Sequence, residues 1–258
     1  MTTRHADGSA GDADYGTIGR GYSHYRQPEP RIAAAIEEVL GDAATVLNVG
    51  AGAGSYEPTD RDVVAVEPSA SMRAQRPAHL PPAIDAMAEA LPFPDRHFDA
   101  SMATFTVHQW AKLRAGLTEM RRVTGGPVLI LTCDPDEVER FWLSAYAPLV
   151  LSTEARRYPA LGAIAADLGG NAEIVPVPIP LDCRDGFNEA YYGRPERLLE
   201  EGARLACSAW SFVDEATRDA YVAHLRRDLA DGSWDRSFGH LRRQPQFDGS
   251  LRLVISRG

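Results

Sequence analysis

Residues Val46-Leu47-Asn48-Val49-Gly50-Ala51-Gly52-Ala53-Gly54 run from an apolar segment into three glycines at alternate positions. The apolar segment has the composition of a buried strand, and glycine frees the backbone that follows it. With no Cβ in the way, a ligand can lie directly against the main chain at the carboxyl end of the strand. The spacing separates one ligand class from another. A dinucleotide fold uses G-x-G-x-x-G, the last glycine opening a helix whose N-terminus holds a pyrophosphate. Here the third glycine comes one residue early and Ser55 stands where that pattern needs glycine. Only residues 55–62, with Pro58 among them, remain before the next strand, which leaves little room for a helix. Both features weigh against a pyrophosphate.

Reading outward, a second apolar run at residues 63–66 ends in Glu67-Pro68-Ser69. An acid at the tip of the second strand can accept both ribose hydroxyls of an adenosine bound beside the glycines; the alternative is that Glu67 caps the turn that follows. Further strands are expected at residues 83–86 (the weakest), 98–105, 127–133 and 250–256. Helices are expected at residues 31–40, between Pro30 and Gly41, and at 113–123. Strands alternating with helices imply β-α-β units and a doubly wound, mostly parallel sheet covered on both faces. After Asp134 the pattern changes. Residues 137–146, 154–168 and the aromatic-rich 187–232 read as helical, and 173–179 as extended. The domain reading is a disordered N-terminus at 1–14, a cofactor-binding core with an N-terminal arm at 15–134, and lid helices with a substrate-side insertion around one strand at 135–249. Residues 250–258 return as the final strand of the core.

Four motifs follow one another in order: the glycine loop, Glu67, Ala88-Glu89-Ala90-Leu91-Pro92-Phe93-Pro94-Asp95, and Phe98-Asp99 leading to Thr106-Val107-His108-Gln109-Trp110. On these the chain resembles the class I S-adenosylmethionine-dependent methyltransferases, in the ubiquinone and menaquinone group known as type 11. The resemblance covers residues 15–133 well and the remainder loosely. It implies a Rossmann-like α/β fold with a seven-stranded sheet, and S-adenosylmethionine as cofactor. It also implies that Gly50, Gly52 and Gly54 lie under the methionine and ribose, that Glu67 holds the ribose hydroxyls, and that Pro68 to Met72 flank the adenine. Ala88 and Glu89 then run along the adenine edge, and Thr104 and Phe105 face cofactor and substrate. Asn48 and Met87 stand where relatives often carry Asp, and the helix after the glycine loop is truncated. Relatives also carry a Tyr and Arg-Pro arm that closes over the cofactor, which draws attention to Tyr15, Tyr22, Tyr25 and Arg26. A bidentate pair between Arg26 and the cofactor carboxylate is the role this suggests.

Such a cofactor carries its methyl on a sulfonium, so the protein has to align a nucleophile and exclude water. His108, after the fourth expected strand, is the first candidate for a general base, against the plainer reading that it caps a helix or packs beside Trp110; His24 is the second. For the acceptor, Tyr22, Phe105, Trp142, Tyr146, Tyr191 and Tyr192 supply amphipathic surface, with Phe187 and Trp210 beside them. Arg184 and Arg194 are candidates for an anionic group on the acceptor, or else surface ion pairs. The segment Asp182-Cys183-Arg184-Asp185-Gly186-Phe187 is unusual enough to suggest a shaped lid.

The net charge of −9, from 36 acidic against 27 basic residues, argues against a nucleic-acid partner. Three scattered cysteines without paired spacing suggest reduced thiols, and no group of residues has metal-ligand spacing. No apolar run is long enough to span a bilayer, and the first sixteen residues lack the apolar segment of a secretory signal, so a cytoplasmic location is expected. The leading function is methyl transfer to C, N or O of a small-molecule acceptor. The alternative is a protein of this fold that binds the cofactor without methylating, in regulation or in guiding another reaction. An NAD-dependent oxidoreductase is disfavoured by the glycine spacing. Oligomeric state is left open.

Overall fold

The computed structural model describes residues 22–257. The expectations for residues 1–21, the disordered terminus and Tyr15 among them, lie outside the described residues, as does the side chain of Tyr22.

Helix α1 (Pro30–Leu40) begins at Glu29, whose carboxylate accepts from the Arg31 N–H, and ends at Gly41 in a left-handed conformation at φ 53°. Its Ile32, Ile36, Val39 and Leu40 are buried, the spacing that puts one helical face against a sheet. That sheet has six strands: β1 (Thr45–Val49), β2 (Asp62–Val66), β3 (Ala100–Thr104), β4 (Val128–Cys133), β5 (Glu173–Pro176) and, last in the chain, β8 (Leu251–Ser256). The spatial order is β2-β1-β3-β4-β8-β5. The first four are parallel, and β8 runs antiparallel between β4 and β5. All six residues of β4 are buried, as a strand covered on both faces requires. On one face lies α2 (Leu113–Val123), with Leu117, Met120 and Val123 in the core.

Among the described residues the sheet therefore has six strands where seven were expected. Residues 83–86 make one parallel bridge, Ile84 to Val66, with Ile84 donating to Ala65 O and accepting from Glu67 N. Pro81 and Pro82 precede it and have no N–H to give, so pairing cannot extend backwards along this edge. No helix separates β1 from β2, in keeping with the short crossover; turns fill residues 51–56 instead.

The later segments are more broken than the apolar periodicity suggests. Residues 154–168 split into α3 (Pro148–Arg157) and α4 (Leu161–Asp167), because Pro159 cannot continue a helix and biases Tyr158 to extended geometry. Residues 137–146 form two short turns, Pro135–Val138 and Trp142–Ala145. Within 187–232 only α5 (Glu215–Ala230) is a long helix, preceded by four short turns among Gly193, Pro195 and Gly202.

Between β5 and β8 the chain leaves the sheet through a second, two-stranded ladder, β6 (Ile179–Pro180) against β7 (Gln246–Phe247). Everything from 181 to 245 is an insertion whose two ends meet at that ladder. Its Trp210, Trp234 and Tyr192 are fully buried and extend the hydrophobic core on one face of the sheet. No helix among the described residues is long and apolar enough to cross a membrane.

A candidate cofactor cleft and an adjoining chamber

The carboxyl ends of β1, β2 and β3 open into a cleft, the concave setting in which small-molecule sites occur. Its floor is backbone. Gly50 and Gly52 have φ of 68° and 53°, the left-handed region that glycine tolerates. A Cβ on Gly50 would run into the Thr106 side chain, so this cradle exists only because that side chain is absent. Glu67 is 7 % exposed at the tip of β2. One carboxylate oxygen accepts from Gly52 N and the other from Ser69 N, both at 2.8 Å. The two readings of this acid thus coincide in one side chain: it caps the turn at Ser69 and forms part of the cleft wall. Ser69 in turn accepts from Met72 N and starts the turn that brings Met72 into the wall.

Of the candidate cofactor residues, Arg26, Gly50, Gly52, Glu67, Pro68, Met72, Ala88, Glu89 and Thr104 line this cleft together with Phe105. Gly54 faces a different, open groove on the far side of the loop. Asn48 is fully buried and does not line the cleft; its amide donates to Glu57, which holds a buried bidentate pair with Arg76 at 2.7 and 2.8 Å. Tyr25 packs over Gly202, and His24 is exposed with its ring edge-on to Tyr25. Sequence reasoning gave no cleft role to Tyr56, Thr106, Gln109 or Trp110, although the last three lie in the quoted motif.

Arg26 joins three parts of the molecule. Its guanidinium forks onto Asp185 of the insertion, at 2.5 Å from Nε to Oδ1 and 3.3 Å from Nη2 to Oδ2, and lies 5.0 Å above the Phe105 ring. Tyr56, in the turns after the glycines, donates to the same carboxylate at 2.9 Å. Burial and the Asp185 charge push the Tyr56 phenol well up, so it stays a donor. Gly186 N donates to Tyr25 O, which fastens the insertion to the arm through the backbone as well.

Beyond Phe105 and Arg26 a second, smaller cavity opens. Phe105 stands between the two, held at φ 52°, unusual for a residue with a side chain, and packed against Phe187 at 5.4 Å between ring centres. His108 lines this chamber with its ring 4.8 Å from that of Tyr158. Glu154, Arg157 and Cys207 complete the polar part of the wall. Asn188 donates to Glu154 at 2.6 Å, and burial pushes the Glu154 carboxyl up from its ordinary value. Burial likewise raises the thiol of Cys207 and the phenol of Tyr158. Glu154 was missed from sequence, yet a signal exists: it falls on α3 one turn after the buried Val150 and Leu151.

The remaining acceptor candidates lie elsewhere. Trp142 is buried and donates to Tyr192 O, while Tyr146 donates to Asp228. Tyr191 and Tyr192 are buried, the latter donating to Gln244 O. Arg194 donates to the carbonyls of Cys183 and Ala190, and Arg184 N donates to Glu29. None of these six lines the cleft or the chamber. Among the described residues no group of His, Cys, Asp and Glu can hold a metal ion.

Comparison with known proteins fits this geometry. Residues 47–130 match the family model described as a methyltransferase domain. A protein of Anabaena variabilis described as a methyltransferase from an antibiotic biosynthesis pathway is 28 % identical, with a TM-score of 0.84 over 91 % of this chain and 99 % of that one. A SAM-dependent methyltransferase of Thermotoga maritima (13 %, TM-score 0.54, 94 % and 95 %) and the [4+2]-cyclase SpnF (14 %, 0.53, 94 % and 92 %) share the fold. No curated protein matches significantly. These matches support a class I S-adenosylmethionine-dependent methyltransferase of the type 11 kind, with S-adenosylmethionine as the cofactor that such a domain implies.

Proposed function

We propose that the enzyme moves the methyl group of S-adenosylmethionine to a C, N or O atom of a small molecule seated in the chamber beyond Phe105. The observation that carries this is the shared wall: Phe105 and Arg26 border both cavities at the carboxyl end of β3. In this reading residues 15–134 hold the cofactor and residues 135–249 shape the acceptor side. Gly50 and Gly52 let the methionine and ribose approach the backbone, and Glu67 accepts from the ribose hydroxyls. Pro68, Met72, Ala88 and Glu89 flank the adenine, with Trp110 closing that end. Thr104 and Phe105 stand at the passage between the two ligands. When bound, the cofactor supplies an electrophilic methyl on a positively charged sulfur. The protein's part is to hold the acceptor in line and keep water out, which can account for most of the acceleration. Three buried free thiols suit a reducing compartment, so the site of action is the cytoplasm.

Calorimetry with S-adenosylhomocysteine tests the cofactor half. Binding is expected, and Glu67→Ala weakens it roughly tenfold or more, the loss of hydrogen bonds to a charged group. No uptake by the wild-type protein sinks the proposal. Mass-shift assays with a panel of acceptors test the other half. The fold also carries a [4+2]-cyclase. Binding without methyl movement to any acceptor therefore moves the assignment to a cofactor-binding protein that guides other chemistry.

A further inference from the structure

The chamber wall holds a carboxylate that methyl transfer from the cofactor does not by itself require. We propose that Glu154 is a catalytic residue that receives a proton from the acceptor, and that the acceptor is an aromatic or apolar molecule bearing an amine or a hydroxyl. The inference rests on the proposed function, since it takes the chamber to be the acceptor's seat.

Glu154 is half-buried on α3, one turn after the buried Val150 and Leu151, and opens on the chamber. Its partner Asn188 donates to Oε2, while Oε1 takes no hydrogen bond from the described residues. Asn188 is itself fixed, 2 % exposed and accepting from Trp210 Nε1 at 3.0 Å, so the amide cannot turn to serve both oxygens. A half-buried carboxylate given one neutral hydrogen bond is less well solvated than one in water, and a ligand N–H or O–H in the chamber supplies a second donor. The groups around it set its proton affinity. Arg157 and Arg26 favour the charged form, desolvation opposes it, and the balance lies toward a carboxyl that binds protons more readily than usual. That is the direction a general base near neutral pH needs. Phe105, Tyr158 and Phe187 give the rest of the wall aromatic faces, which suit an aryl or apolar body and attract a cationic nitrogen. Arg157 is the rival feature, since it also lines the chamber and would favour an anionic acceptor; its Nη1 donates to Ser208 at 2.8 Å and its guanidinium lies 4.8 Å over Phe212.

The step balances without another reactant. The acceptor's N or O lone pair forms the bond to the methyl carbon. The methyl–sulfur bond breaks with its pair left on sulfur. The acceptor's N–H or O–H proton passes to Glu154 Oε1, so the carboxylate ends as a carboxylic acid, and solvent takes the proton on product release.

Three probes of one shape test this: benzylamine, phenol and benzoate, titrated into protein saturated with S-adenosylhomocysteine. Benzylamine and phenol are expected to bind at least tenfold more tightly than benzoate. Glu154→Gln keeps an acceptor for Asn188 and is expected to lose tenfold or more for benzylamine with the S-adenosylhomocysteine affinity unchanged. The wild-type preference is independent of how well the variant folds, and melting curves identify a variant that does not fold. A preference for benzoate, absence of benzylamine binding, or equal benzylamine binding by a folded Glu154→Gln protein overturns the inference. Failure to take up S-adenosylhomocysteine at all instead overturns the methyltransferase reading beneath it.

Discussion

The cofactor cleft and the acceptor chamber adjoin one another but are made of different material. The cleft is made from strand ends and backbone, and what defines it is the lack of side chains at Gly50 and Gly52 together with one acid on the neighbouring strand. The chamber is made from side chains that arrive from five places in the chain: the N-terminal arm, the tip of β3, the turn after it, α3 with the residue that follows it, and the insertion. Backbone sites depend on local sequence, whereas side-chain sites depend on contacts between distant residues, such as Arg26 with Asp185, 159 positions apart. The cleft should therefore be sensitive to added atoms and the chamber's frame to removed ones.

The sharpest way to break the comparison is at Asp185. Replacing it with Ala leaves the Arg26 guanidinium and the Tyr56 hydroxyl without their shared partner, at side-chain exposures of 11 % for Arg26 and 3 % for Asp185. A stability loss of about 4 kcal/mol is expected in urea denaturation, the cost of leaving one half of a buried pair behind. A loss under about 1 kcal/mol would mean the insertion is not anchored through this carboxylate.

Glu189 tests the insertion's other tie to the sheet. Its carboxylate accepts from Ser250 N and Oγ, yet burial pushes its pKa up to about 7. A carboxyl whose pKa is higher folded than unfolded contributes most below the unfolded value. That contribution fades as pH rises through the folded value. Stability should therefore fall by about 3 kcal/mol between about pH 4.5 and pH 7 on account of this group. Glu154, also raised, acts in the same direction. Denaturation at pH 5 and pH 8 should show the decline, and Glu189→Gln should flatten it; an unchanged slope would remove Glu189 from this role.

A smaller effect on stability is expected on the cleft side. Gly50→Ala places a Cβ at φ 68° against Thr106, costing about 2 kcal/mol in melting experiments. Its effect on S-adenosylhomocysteine affinity should exceed its effect on stability, because the same atom intrudes on the cradle. Unchanged affinity would show that the ligand does not approach the loop this closely.

The same contrast explains what could be read from the sequence. β1 falls where its apolar run ends at glycine, and α2 falls where its apolar residues recur at helical spacing, because each element answers to its own residues. The missing helix after the glycines was legible too, from the shortness of the crossover and Pro58. The seventh strand was not, since whether residues 83–86 pair beyond one bridge depends on an edge and two prolines rather than on their own apolarity. In the later segments, aromatics such as Trp142, Tyr191 and Tyr192 drew attention as ligand surface, yet they are packed into the core that these segments share with the sheet. Conversely Glu154 gave a single quiet sign, an acid one turn after two buried apolar residues, and Asp185 gave none until Arg26 was seen against it.

The ladder of β6 and β7 brings the two ends of the insertion together, and loop closure grows costlier only slowly with length. Such a segment can be exchanged in evolution as a cassette without redrawing the strands beneath. Phe187 and Cys207 would travel with it, while Glu154, Phe105 and His108 would stay. The shape an acceptor must have and the group that takes its proton are thus inherited separately, provided each new cassette brings an acid to meet Arg26, another to meet Ser250 and an amide to meet Glu154.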